Sequence, residues 1–309
     1  MLSKVIEFVR NNTPLWLHRA LGPILAKIFY FFRIYILGNN HTPTVLSIME
    51  TLKLVERNGL SFVRFGDGEI TLIEGKDLLF QKADPNLILR LKKVLKADLP
   101  GFLICLPDLF GKLDAYVAEA HKFALHHQFH YRHQWLELLS LKQIYGNTFV
   151  TRPYLGFKDD ERKKNSAAFK KLFSFWYGRD VILVEGLKSR LGVGNDMFKE
   201  VKSLRRILCP PENAFEKYTQ IFEAVRKKSK DHLILLSLGP AAKVLAYDLF
   251  LEGFRVFDIG HIDMEYEMYL KNEPKLTKVK YKYFNEINER NPEDCKDPEY
   301  LSQITEKIL

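Results

Sequence analysis

The feature that most constrains this chain is a series of short, continuously apolar runs separated by helical patterns. The runs lie at 61–65, 102–106, 148–150, 181–184, 206–208, 233–236 and 255–259. A strand with one wet face alternates apolar and polar side chains, whereas a strand apolar throughout must be covered on both faces. Helical patterns at 44–57, 85–97 and 112–127 supply part of that cover. The spacing predicts an α/β fold, a Rossmann-like and mostly parallel sheet with helices on both faces. Ligands of such sheets bind beyond the carboxyl ends of the strands, so chemistry is to be sought in the loops that leave them.

Two flanking regions differ from this pattern. Residues 1–41 are rich in aromatic and aliphatic side chains, with Lys4, Arg10, Arg19, Lys27 and Arg33 set against Glu7. From Pro23, a good first helical residue, to Leu37 nearly every face is apolar, so this helix must be buried. Lys27 and Arg33 interrupt the run well short of the roughly 18 apolar residues of a spanning helix. The segment also lacks the small-residue cleavage site of a secretory signal. A membrane surface, the main fold or a second subunit in a homo-oligomer would each cover it. Residues 42–271 form the predicted α/β domain. Residues 272–309 are charged and broken by Pro274, Pro292 and Pro298, which predicts a loosely packed extension.

The net charge of +9 favours anionic partners. The basic residues are spread along the chain without a helix-turn-helix, zinc-finger or RNA-binding signature, so nucleic acid is not expected. Cys105, Cys209 and Cys295 are few, distant and odd in number. They fit a reducing cytoplasm rather than a disulfide framework, and Cys105 and Cys209 fall in apolar runs as core residues.

Five loops carry the chemistry. The first strand runs into Arg64-Phe65-Gly66-Asp67-Gly68-Glu69. On extended backbone, carboxylates at i and i+2 point the same way, a geometry suited to a hard divalent cation on a diphosphate; a helix cap is the simpler alternative. Arg152-Pro153-Tyr154 offers a cation and a ring. The stretch Glu185-Gly186-Leu187-Lys188-Ser189-Arg190-Leu191-Gly192-Val193-Gly194-Asn195-Asp196 combines glycines with cations and a predicted helix start at Asn195 or Asp196. Free amides there would receive phosphate, although neither a Walker loop nor the full dinucleotide fingerprint is present. Ser237-Leu238-Gly239-Pro240 turns a strand tightly into a helix. Finally, Asp258-Ile259-Gly260-His261-Ile262-Asp263-Met264-Glu265-Tyr266-Glu267 gathers four acids and a histidine, costly to assemble unless cations partner them or one acts as a base.

Taken in order, these motifs resemble the GT-D fold glycosyltransferases, a bacterial family first defined as a domain of unknown function, over about residues 42–270. The resemblance implies a metal-dependent enzyme that moves a hexose from a nucleotide sugar, a UDP-hexose such as UDP-glucose, to a glycan acceptor on lipid, protein or polysaccharide. It implies a Mn²⁺ or Mg²⁺ ion at Asp67 and Glu69. Arg64, Gly66, Arg152, Tyr154, Glu185, Arg190, Gly194, Asn195, Asp196, Gly239 and His261 are then the candidate donor-binding residues, and Glu265 or Asp263 the candidate base. The enzyme would be cytoplasmic and peripheral to the inner membrane face. A Rossmann-fold methyltransferase with its cofactor over Gly239, and a non-catalytic membrane-associated scaffold, are the alternative readings.

Overall fold

The computed structural model describes residues 15–31, 42–284 and 291–309, and only the backbone of 15–21. Among these residues nine strands form one sheet. In chain order they are β1 Thr44–Val45, β2 Ser61–Arg64, β3 Phe102–Leu106, β4 Ile144–Asn147, β5 Asp180–Gly186, β6 Ser203–Cys209, β7 Leu233–Ser237, β8 Arg255–Asp258 and β9 Ile304–Lys307. Every pairing is parallel, in the order β1-β4-β3-β2-β8-β7-β5-β6-β9. The α/β architecture read from the apolar runs is the one observed.

Parallel strands explain why those runs carry no polar alternation. Val181 and Leu183 point into one hydrophobic cluster, and Ile182 and Val184 into another on the opposite face. Leu233 to Leu236 divide in the same way. One face is covered by α3 Asp67–Ile73, α4 Pro85–Leu95, α8 Tyr218–Arg226 and α9 Ala241–Leu251. The other is covered chiefly by α2 Ile48–Asn58, α7 Ala167–Phe173 and α10 Ile262–Lys271. Helix α2 starts on a full capping box, in which Ser47 accepts from the Glu50 amide and Glu50 accepts from the Ser47 amide. Gly59 ends it in the left-handed conformation.

The strand order sets the site. From β2 the chain steps outward through β3 to β4, whereas β5 to β8 lie on the other side and α10 leads away toward the far edge. Connections therefore diverge at the β2/β8 boundary, leaving a crevice at the carboxyl ends where ligands of open α/β sheets bind.

Several elements depart from expectation. The run 148–150 is not a strand: Asn147 ends β4 and accepts from the Phe149 amide, starting a 3₁₀ turn at Thr148–Thr151. The helix expected at 112–127 is α5, Ala118–Leu138. Helix α1, Leu15–Phe31, carries Pro23 inside rather than at its first turn. It packs on α5 through the Phe29 and Phe129 rings, and the Tyr30 hydroxyl accepts from the Leu113 amide at 3.0 Å. Ile24, Ile28 and Phe31 remain exposed. Residues 32–37 of the expected helix lie outside the described residues.

Among the described residues the carboxyl-terminal segment is not loosely packed. Strand β9 completes the sheet beside β6, and Tyr283, Phe284 and Tyr300 are buried. Lys282 is 1% exposed, with its ammonium 2.7 Å from Asp263 Oδ2 and 3.1 Å from Glu267 Oε1. A buried ammonium tolerates such a place only between carboxylates, and removing it strands two buried acids. We expect Lys282→Ala to lower unfolding free energy by about 3–5 kcal/mol. Urea titration reads this directly, and a loss below about 1 kcal/mol, the worth of a surface pair, would show that the segment is dispensable.

Candidate active site

The carboxyl ends of β2, β7 and β8 meet around one buried chain of charge. Arg64 donates from Nε to the Asp258 carbonyl at 2.8 Å and from a terminal nitrogen to Asp258 Oδ1 at 3.2 Å. Lys243, from the first turn of α9, lies 3.1 Å from Asp258 Oδ2 and 2.9 Å from Glu69 Oε1, and donates to the Gly239 carbonyl at 3.2 Å. Glu69 Oε2 accepts from the Gly66 amide at 2.7 Å. Two cations thus alternate with two carboxylates, all buried. Burial opposes ionisation of Asp258, but Arg64 and Lys243 outweigh it and hold the carboxyl below its ordinary value.

Gly260 makes this packing possible. A Cβ there would stand 1.8 Å from the Arg64 guanidinium, and its φ of +45° is itself unfavourable for other residues. Ser237 donates to the Gly260 carbonyl at 3.1 Å, tying β7 to the β8 loop. Gly239, at φ +53°, sits under the Phe80 ring. His261 packs edge-on against Phe284 at 5.2 Å.

Asp67 and Glu69 do not point the same way. Asp67 is the first residue of α3, so the backbone between them is helical, and positions i and i+2 diverge by about 200°. Asp67 faces solvent at the crevice, whereas Glu69 turns inward as the capping carboxylate and the partner of Lys243.

The other predicted residues form a second layer, in which acids hold loops. Asp263 Oδ1 accepts from the Gly192 amide at 2.9 Å and from Asn195 Nδ2 at 2.8 Å, with Lys282 on its other oxygen. Asn195 also donates to Glu267, and Asp196 accepts from the Tyr266 hydroxyl at 2.7 Å. Glu265 accepts from the Tyr154 and Leu155 amides at 3.1 and 3.0 Å and meets Arg152 Nε at 3.4 Å. Burial raises the Glu265 carboxyl despite Arg152. The oxygens of both candidate bases are therefore occupied by loop anchoring. Tyr154 is buried, its ring beneath the Arg162 guanidinium, and does not offer a free face.

The glycine stretch also differs from expectation. No helix starts at Asn195 or Asp196; residues 187–202 run as successive turns, with Arg190, Gly192 and Gly194 all at positive φ. Arg190 does not reach the crevice: it donates to the Tyr281 and Glu293 carbonyls at 2.7 and 2.5 Å, fastening the carboxyl-terminal segment. Glu185 is fully buried against Arg206 at 2.6 Å and accepts from the Leu191 amide. A cavity of about 650 Å³ lies between this loop and helix α11, Pro298–Gln303. Sequence reasoning missed Lys243 and Lys282, although a single lysine among Ala241, Ala242, Val244 and Leu245 at the start of a helix is a visible signal.

This geometry can be set beside known proteins. The family model for the glycosyltransferase GT-D fold matches residues 62–287. The chain belongs to the GT-D fold glycosyltransferase family. It is 40% identical over 267 residues to a probable glycosyl transferase, Gly, of Streptococcus gordonii, and 39% identical to glycosyltransferase GlyD of Streptococcus pneumoniae. Each alignment covers 86% of this chain but only 39% and 32% of those proteins, so the chain spans about a third to two fifths of their length. Among solved structures, a domain of unknown function 1792 described as having a distinct glycosyltransferase fold matches with a TM-score of 0.82 at 38% identity. That match covers 86% of this chain and 96% of that one. A glycosyltransferase of the same domain family from Streptococcus sanguinis matches at 0.81 and 38%, over 87% and 100%. Membership displaces the methyltransferase reading.

Replacing Asp258 with Asn should leave Arg64 and Lys243 against a neutral partner and cost about 3–5 kcal/mol at neutral pH. Because the Asp258 carboxyl is held low, its stabilisation is present above the ordinary carboxylate range and is lost as pH falls below it. The stability gap between wild type and Asp258→Asn should therefore narrow toward pH 3 in urea titrations, and a gap independent of pH would contradict the charge chain.

Proposed function

We propose that this chain transfers a hexose from a UDP-hexose to a hydroxyl of a glycan acceptor on lipid, protein or polysaccharide. The observation that carries the reading is the exposed Asp67 carboxylate at the β2 exit, two residues before Glu69, whose own carboxylate is held by the buried Lys243. A hard cation on a diphosphate takes one or two protein carboxylates and fills its remaining positions with phosphate oxygens and water. The one outward acid, Asp67, fits the lower end of that demand, while Glu69 is engaged by Lys243 and the Gly66 amide. Asp67, backed by Glu69, would hold Mn²⁺ or Mg²⁺, which when bound offsets the charge developing on the departing diphosphate.

The chain's own residues do the rest. Gly66 admits the diphosphate close to the backbone, and the buried cations hold the β2, β7 and β8 loops in fixed register, so their dipoles need no reorganisation during transfer. Asp263 and Glu265 act by fixing the 192–195 and 152–155 loops that border the crevice, and His261 lines its β8 side.

The exposed Ile24, Ile28 and Phe31 on α1 flank Lys27 in sequence and support contact with the inner face of a membrane carrying the acceptor. Among the described residues no helix is long and apolar enough to cross a membrane.

The test is thermal stabilisation by nucleoside diphosphates with and without Mn²⁺. A ligand that binds only the native state raises the melting point by mass action. UDP should stabilise the wild-type chain in the presence of Mn²⁺, and Asp67→Ala should lose that effect. Equal stabilisation of Asp67→Ala, or none of the wild type by any nucleotide, would remove the reading.

A further inference from the structure

The acids that sequence singled out as candidate bases are spent on anchoring loops, whereas one acid outside those motifs is not. Asp108 lies two residues beyond the end of β3, the strand beside β2. In the register that pairs Arg64 with Cys105, Asp67 and Asp108 stand three residues past the same rung. The two therefore leave adjacent parallel strands at the same edge of the sheet.

Asp108 is held in place but unpartnered. Its neighbours Pro107, Leu109 and Phe110 are buried, the Leu109 amide donates to the Pro107 carbonyl at 2.8 Å, and the Tyr116 hydroxyl donates to the Asp108 carbonyl at 2.7 Å. Among the described residues its carboxylate accepts no hydrogen bond and joins no ion pair. A half-buried carboxylate with no protein partner is left for solvent or a ligand to hydrogen-bond.

Placement on the β3 side matters. If the diphosphate sits at Gly66 and Asp67, the glycine turns of β7 and β8 flank it on one side, and β3 flanks it on the other. The second substrate would approach on the side away from those turns, beside the 3₁₀ turn whose Thr148 donates to the Phe65 carbonyl at 2.7 Å.

We propose that Asp108 is the catalytic carboxylate that takes the proton of the attacking hydroxyl. This rests on the glycosyl-transfer reading above. As the acceptor oxygen bonds to the anomeric carbon, the bond from that carbon to the diphosphate oxygen breaks and its electron pair leaves with the nucleotide. The hydroxyl proton passes to Asp108 and then to solvent. Burial pushes the Asp108 carboxyl up to about 6, with no charged neighbour offsetting it. A base near that value is strong enough to accept the proton and still ionised at neutral pH. Tyr116 is the titratable group beside it, and burial together with the Asp108 charge pushes that phenol further up, so it stays neutral.

The experiment compares wild type with Asp108→Asn. UDP release is followed from a panel of UDP-hexoses with water as the acceptor, between pH 5 and 8, alongside the melting-point shift produced by UDP with Mn²⁺. The wild-type rate should fall as pH drops through about 6. Asp108→Asn should lose about 100-fold in turnover and the acid limb with it, while keeping the full UDP-induced shift. Turnover within threefold of wild type, an unchanged acid limb, or loss of the UDP shift together with the rate would each overturn the assignment. If wild type turns over no member of the panel, the transfer reading on which it rests falls instead.

Discussion

Everything at the carboxyl edge of the sheet depends on the alternation Glu69, Lys243, Asp258, Arg64. Each member is buried, and each would be costly alone, because an unpaired charge inside a protein loses its hydration without compensation. Together they join elements far apart in the chain: the β2 exit and start of α3, the first turn of α9, and the β8 exit. Replacing one partner leaves its neighbours uncompensated, so the chain specifies an arrangement as much as it stabilises one. The crevice inherits its rigidity from this layer, and Asp67 inherits its outward direction from Glu69 being turned in.

The same logic organises the second layer. The acids of α10 face inward and accept from loop amides and from Lys282, so the helix holds the 192–195 and 152–155 loops in place. Lys282 and the partners of Arg190 come from the carboxyl-terminal segment, which makes that segment part of the structure behind the site.

How much of this was legible in the sequence follows from the range of the interactions. The strands of the sheet interior were legible because burial on both faces leaves an apolar run that needs no partner to be recognised. Strand β1 has two residues, and β9 reads Ile-Thr-Glu-Lys with alternating exposure at the sheet edge, so neither leaves such a run. Thr148 to Val150 is apolar enough to pass for a strand, yet the Asn147 side chain caps the amide of Phe149 and turns the chain. The geometry of Gly-Asp-Gly-Glu depended on whether the backbone there is extended or helical, and the capping carboxylate of Glu69 decided for helix. Arg190 looked like a donor ligand because its partners, the Tyr281 and Glu293 carbonyls, lie about a hundred residues away. Lys243 and Lys282 were missed for the same reason: a lysine's carboxylate partners are visible only once the fold brings them together. Asp108 carried no motif at all, and its isolation is a property of the folded chain.

The central claim is that the crevice between β2 and β8 is where the donor's diphosphate sits. A crystal structure of the chain with UDP and Mn²⁺ tests it most directly. The account predicts diphosphate density over Gly66 and Asp67, with Lys243 and Arg64 still paired behind it. Nucleotide bound instead in the cavity between residues 192–196 and α11, with the β2 exit empty, would contradict it.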